Sequence, residues 1–212
     1  MKDFDDNCPK VNASFDGDVL RAEIPEGICL KKGLCGYGLY ATKSFKSGQA
    51  LYLNHYEAID DVQREFKLIA NNITYNLETI THACITNNKK RALYNFDAMF
   101  NHSCNPNTYS YSTSEMSNNR QYYTVALRNI ASGEELTCNY NLFEYDCSDK
   151  GIDNCNCQED NCQKKIWGFK WLEFDEQIRL LKSFDVDLFI LEKFFDDNAV
   201  SAFSVTKACA KY

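Results

Sequence analysis

No run in this chain approaches the roughly 20 apolar residues that a membrane-spanning helix requires. The opening residues Met1-Lys2-Asp3-Phe4-Asp5-Asp6-Asn7 lack the apolar stretch of a signal peptide. A protein inside the cell, in nucleus or cytoplasm and without a membrane partner, is therefore expected. Basic clusters are also scarce. Apart from the short Lys89-Lys90-Arg91, which reads as a solvated loop, cationic residues are scattered, and 23 basic against 30 acidic side chains leave a formal net charge of -7. That balance argues against direct binding of nucleic acid, where affinity comes from neutralising phosphates, and suits a cationic peptide. No internal repeat is visible. The 212 residues are enough for one good core with a small accessory part.

Cysteine is abundant. Eleven thiols cannot all pair within one chain, and in an intracellular protein they point to free thiols and metal ligation. Cys155, Cys157 and Cys162 are crowded into eight residues. Zinc prefers four tetrahedral ligands, so a fourth must come from elsewhere, and Cys147 is a nearby competitor on spacing alone.

Residues 1–18 are polar and acidic and read as a loose arm, with the core beginning near Val19. Short apolar pieces over 19–24, 38–42 and 50–53, punctuated by glycine, predict brief strands. Ile59, Val62, Phe66 and Ile69 recur at helical spacing behind Asp60 and Asp61, which predicts one helix inserted in a strand-rich domain. Residues 110–119 are polar and read as an exposed loop, and 122–127 as a strand. Farther on, Trp171, Phe174, Ile178 and Leu181, then Val186, Phe189, Ile190 and Phe194, predict two amphipathic helices split near 183–185 and packed on the main body.

Three strings carry the chemistry. Asn101-His102-Ser103-Cys104-Asn105-Pro106-Asn107 sets an amide, an imidazole, a hydroxyl and a thiol side by side, a group costly to bury unless hydrogen-bonded. Gly133-Glu134-Glu135-Leu136-Thr137-Cys138-Asn139-Tyr140 follows, and then the cysteine cluster. Upstream lies Gly36-Tyr37-Gly38-Leu39-Tyr40-Ala41-Thr42, which alone would mark only a turn.

In this order the strings resemble SET-domain protein lysine methyltransferases with a post-SET zinc motif, over roughly residues 19 to 170. The resemblance implies a mainly β fold with an inserted helix (α+β), a β-clip in which the Asn101 segment is threaded against the one ending at Tyr140 as a pseudoknot. It divides the chain into a SET domain over 19–145, a post-SET zinc segment over 146–170 and a C-terminal helical extension over 171–212.

The activity implied is transfer of a methyl group from S-adenosylmethionine to a protein lysine, with a histone tail as the commonest type of substrate. Tyr140 would be the catalytic residue. Gly36, Tyr37, Gly38, Asn101, His102 and Tyr140 would bind the cofactor, and Cys138, Trp167 and Phe169 would line the lysine channel. Zinc would be held by Cys104, Cys155, Cys157 and Cys162 in a closed structural site.

The chain departs from the family pattern in three places. Cys138 stands where many members have phenylalanine or tyrosine, Ala98 where a basic residue is common, and Asn139 where an acidic one is frequent. A catalytically weak SET-fold scaffold or reader that retains the zinc site is the alternative from another functional class.

Overall fold

The computed structural model describes residues 7–33, 35–60, 64–78, 82–85, 90–112 and 121–198. The first strands are β1 (Ala13–Asp16), β2 (Val19–Ala22), β3 (Ile28–Gly33), β4 (Gly36–Ala41), β5 (Ala50–His55), β6 (Glu57–Asp60) and β7 (Glu65–Ala70). There follow β8 (Ile73–Glu78), β9 (Ala83–Ile85), β10 (Lys90–Leu93), β11 (Asn101–His102), β12 (Thr108–Ser112), β13 (Gln121–Ala126) and β14 (Glu135–Cys138). Two helices, α1 (Phe174–Ser183) and α2 (Leu188–Asn198), close the described chain. The protein is thus mainly β with few helices. None of the helices among the described residues is long and apolar enough to cross a membrane.

The strands form four small sheets, ordered β1-β2-β7-β8, β6-β10-β9, β11-β14-β4-β3 and β12-β13-β5. One core, which includes Leu20, Leu39, Leu68, Phe96 and Leu136, joins them. A second core lies between β12, β13 and the C-terminal helices, where Tyr109, Tyr111 and Val125 meet Phe169, Leu180, Ile190 and Phe194. Tyr109 Oη donates to the Asp185 carbonyl between the helices at 2.6 Å, and Tyr145 Oη to Asp197 at 2.8 Å. Asp175 and Glu176 in the first turn of α1 and Lys182 in its last suit the helix dipole.

Several expectations need correction. The helix expected from Ile59 to Ile69 is replaced by β6 and β7, with 61–63 and hence Val62 outside the described residues. Along β7, Phe66, Leu68 and Ala70 are buried while Glu65 and Lys67 are exposed, so the period of two prevails over the coincidental helical spacing. The arm expected over 1–18 joins the fold well before its end. β1 pairs with β2, the Val11 N–H donates to the Leu53 carbonyl, and the Leu53 N–H donates to the Pro9 carbonyl. Buried Val11 supplies the apolar anchor that the polar composition concealed.

The loop expected from Ser110 begins as part of β12, held by pairing to β13, and residues 113–120 lie outside the description. In the short basic cluster, Lys90 and Arg91 belong to β10, and Arg91 is buried with its guanidinium 4.0 Å from Glu144.

Candidate active site

The Asn101 segment is positioned by backbone pairing that sequence alone does not reveal. β11 runs parallel to β14 with Asn101 opposite Thr137 and His102 opposite Cys138, and the Ser103 N–H donates to the Cys138 carbonyl at 2.9 Å. Asn107 then takes over with its side chain. Its amide group donates to the Glu135 carbonyl at 2.7 Å, while its Oδ1 accepts the Thr137 N–H at 2.8 Å. The costly polar cluster is therefore satisfied, and the two segments lie side by side.

Tyr140 follows β14 after the single residue Asn139 and opens a 3-10 turn. Its backbone N–H donates to His102 Nδ1 at 3.1 Å, and its hydroxyl donates to the Phe100 carbonyl at 2.5 Å. Burial pushes the Tyr140 hydroxyl well above its ordinary pKa, so it stays protonated. Burial also pushes His102 down to about 4, which keeps the imidazole neutral. Because Nδ1 accepts, the ring proton resides on Nε2, which lies 3.2 Å from Cys104 Sγ.

The glycine string sits on β4 beside this junction. Asn101 Nδ2 donates to Glu135 Oε1 at 2.7 Å and to the Tyr37 carbonyl at 3.3 Å. A Cβ on Gly38 would collide with Glu135 Oε1 and come within 2.7 Å of Asn101 Nδ2, so a side chain at 38 would break this contact. Gly36 has open space around it and is needed instead for its φ of +97°.

Two cavities meet at Tyr140. The first, of about 200 Å³, is lined among others by Tyr94, Asp97, Phe100, Cys138, Tyr140 and Phe143. The second, of about 420 Å³, is lined among others by Cys35, Tyr37, Tyr75, Phe100, Asn101 and Tyr140. Tyr140, Phe100, Ala98 and His82 face both. One cavity is largely apolar and the other polar, with a single phenol at their common wall.

Cys104, Cys155, Cys157 and Cys162 converge, their sulfurs all within 4.8 Å of one another. The Gln163 N–H donates to Cys104 Sγ at 3.3 Å and Asn161 Nδ2 to the Cys104 carbonyl at 3.2 Å, tying the late segment to the end of β11. Burial opposes ionisation of Cys157, but hydrogen bonds from backbone and neighbouring thiols outweigh it and hold this thiol down to about 7. Four thiols, one of them readily ionised, form a donor set that can hold a metal ion. Cys147 instead lines the first cavity, where burial pushes it up to about 11.

Two residues expected in the lysine channel line neither of these cavities. Phe169 is fully buried in the second core, 5.9 Å from the ring of Phe194, and lines neither cavity. The helices offer it a complete apolar socket, and burial there removes far more surface from water than a channel wall would. Trp167 also lines neither cavity. It packs against Gly151, which does line the first, while its Nε1 donates to Asp153 at 2.9 Å. Sequence reasoning assigned no role to Tyr94, Asp97 or Glu135; only Glu135, inside the Gly-Glu-Glu string, carried a local signal.

Comparison with known proteins adds the following. Residues 36–141 match the SET domain family. Mouse histone-lysine N-methyltransferase NSD3 is 31% identical over 161 residues, covering 73% of this chain and 11% of that protein. A Candida albicans histone-lysine N-methyltransferase, H3 lysine-36 specific, is 30% identical over 144 residues, covering 64% of this chain and 16% of that one. This chain thus spans less than a fifth of the length of either relative. Among solved structures, KRYPTONITE in complex with mCHG DNA and SAH is similar at 18% identity and a TM-score of 0.44, over 66% of this chain and 29% of that chain. The family match runs over half of the chain, from the glycine string past Tyr140, and on that evidence the chain belongs to the SET domain family.

Proposed function

We propose that the protein is an S-adenosylmethionine-dependent protein-lysine N-methyltransferase acting on a lysine of a basic protein, with a histone tail as the first candidate. The observation that carries this reading is the position of Tyr140 at the wall shared by an apolar and a polar cavity. The polar cavity, with Tyr37 and Asn101, is assigned to the cofactor, and the apolar one to the lysine stem. S-adenosylmethionine, when bound, supplies an electrophilic methyl group on a sulfonium.

The chain's own residues then have defined tasks. A free lysine has a pKa near 10.4, so presenting a neutral amine at pH 7 costs about 4–5 kcal/mol. Tyr94, Phe100 and Phe143 line the space around the head group and exclude water there, and the sulfonium charge of the cofactor, when bound, would disfavour a second cation beside it and offset part of that cost. The Tyr140 hydroxyl is committed as donor to the Phe100 carbonyl, leaving its oxygen lone pairs to accept a hydrogen from the amine. Alignment and exclusion of water are the main catalytic contributions.

Zinc is the proposed metal. Four thiolates at about 2.3 Å from one ion would stand about 3.8 Å apart, inside the observed spread of 4.8 Å. A site closed by four sulfurs has no open position and serves structure, pinning 155–162 to the end of β11. The proposed compartment is the nucleus or cytoplasm, and no direct contact with nucleic acid or membrane is invoked. The proposed divisions remain a SET domain to residue 145, a zinc segment over 146–170 and a helical extension beyond, with the β1 hairpin joined to the first.

The test is incubation of purified protein with labelled S-adenosylmethionine and core histones, alongside a total cell extract. Labelling of either supports the reading. Labelling of neither favours a scaffold that retains the fold without turnover.

A further inference from the structure

Two described carboxylates line the apolar cavity, and they differ in their surroundings. Glu144 lies 4.0 Å from the Arg91 guanidinium and 3.7 Å from Lys150 Nζ, so its charge is already balanced. Asp97 has no such partner. It is 9% exposed, and its Oδ1 accepts the Tyr52 hydroxyl at 2.7 Å while Oδ2 accepts the Tyr122 hydroxyl at 2.8 Å. Thr124 Oγ1 stands 3.5 Å from Oδ2. No ion pair reaches Asp97 among the described residues.

Buried charges are ordinarily paired, because burial without a counter-charge is costly. Asp97 has neutral hydroxyl donors and a cavity in place of a cation. The same cavity presents Tyr94 and Phe143, whose ring centroids are 6.2 Å apart, together with Phe100 and Tyr140. Aromatic faces beside a carboxylate form the general recognition chemistry for alkylated ammonium ions, which are too bulky and too weakly hydrated for an ordinary salt bridge. Cys138, with a small side chain, borders the same space.

We infer that Asp97 is the charge-selecting residue of this cavity, favouring a methylated ammonium over a neutral group of the same shape. The inference rests on assigning the cavity to the target lysine. It goes further in that a mono- or dimethyl-lysine is drawn into the cavity as its ammonium ion and gives up its proton there before the nitrogen can accept another methyl group, so Asp97 contributes to the number of methyl groups added.

The charge of Asp97 is itself adjustable. Burial pushes its carboxyl up to about 7, against the opposing hydrogen bonds from Tyr52, Tyr122, Asn54 and Thr124. The titratable groups that face it are Tyr52 on β5, Tyr122 on β13 and Cys138 on β14, with Tyr94 on the same cavity wall, and burial raises all four, which keeps them uncharged. His82 at the cavity wall is pushed downward by burial. Glu144, Arg91 and Lys150 complete the charged set. Cation preference should therefore weaken as pH falls through about 7 and Asp97 takes up a proton.

Two probes test this: the N-acetyl methylamide of trimethyllysine, and the same molecule with carbon in place of the quaternary nitrogen. Each is titrated into the purified full chain and followed by NMR. The parent protein should prefer the cation by about tenfold near pH 8, and less near pH 6. Asp97→Asn should remove the preference at both pH values. Equal affinity for the two probes in the parent, binding of neither, or an Asp97→Asn protein that retains the preference would each overturn the inference.

If Asp97→Asn fails to fold by circular dichroism, the pH series on the parent decides. A parallel methyl-transfer assay separates the two ideas. Labelling without cation preference defeats the inference alone, whereas cation preference without labelling supports the charge selection by Asp97 but defeats the methyltransferase reading and, with it, the contribution to methyl number.

Discussion

His102 holds Tyr140 through the backbone: its Nδ1 accepts the Tyr140 N–H at 3.1 Å while its Nε2 faces Cys104 Sγ at 3.2 Å. One neutral imidazole thus links the thiol cluster to the proposed catalytic phenol. A metal ligand with an oriented neighbour is a recurring arrangement, because the neighbour fixes the ligand and is fixed by it. In this protein the consequence is mechanical. Whatever orders Cys104 also orders the residue on which transfer is proposed to depend.

Metal content should be about one zinc per chain, and Cys104→Ser should lose it as readily as Cys157→Ser, since a tetrahedral thiolate site fails when any ligand is weakened. Cys147→Ser should retain it, because Cys147 lies in the apolar cavity. Elemental analysis of the three purified variants is the check. Retention by Cys104→Ser with loss in Cys147→Ser would reassign the fourth ligand.

Phe194→Ala should cost about 3–5 kcal/mol of unfolding free energy, the usual penalty for removing a buried ring. Phe194 is 1% exposed and its ring meets those of Phe169 and Phe174. Urea denaturation measures the loss. A cost below about 1 kcal/mol would mean that α2 does not pack on the body as described.

The three sequence strings made the proposed site legible because each is local, with chemistry-bearing residues only a few positions apart. The gathering of Cys104 with Cys155, Cys157 and Cys162 was not decided by spacing, which left Cys147 open; only the family resemblance favoured Cys104. Non-local arrangements escaped. Asp97 gains its role from Tyr52 on β5 and Tyr122 on β13, a pairing that no pattern around residue 97 encodes. Phe169 was drawn towards the channel by its nearness to the cysteine cluster, while the socket that buries it is built by helices later in the chain. The helix expected over 59–69 has a different cause: its four apolar residues fit helical spacing by coincidence, while β6 and β7, which hold Ile59, Phe66 and Ile69, are each too short for a period of two to stand out.

Cys138→Tyr should shift the product towards monomethyl-lysine, whereas the parent should add more than one methyl group. A tyrosine ring would fill space that a methylated amine needs in order to rotate, and Cys138, 9% exposed, borders that space. Mass spectrometry of the product under excess cofactor reads the outcome. A parent enzyme that stops cleanly at one methyl would remove the argument from volume.

The central claim is that the Tyr140 hydroxyl, placed where the two cavities meet, aligns the amine for methyl transfer. Replacing it by phenylalanine removes one hydrogen bond to the Phe100 carbonyl, worth about 1 kcal/mol of stability, and leaves the ring in place. The most direct measurement compares single-turnover methyl transfer by the parent and Tyr140→Phe, with S-adenosylhomocysteine binding followed in parallel by calorimetry. The account predicts a folded variant that binds the nucleotide normally and transfers about a hundredfold more slowly, or worse. Transfer at the parent rate, with binding intact, would contradict it.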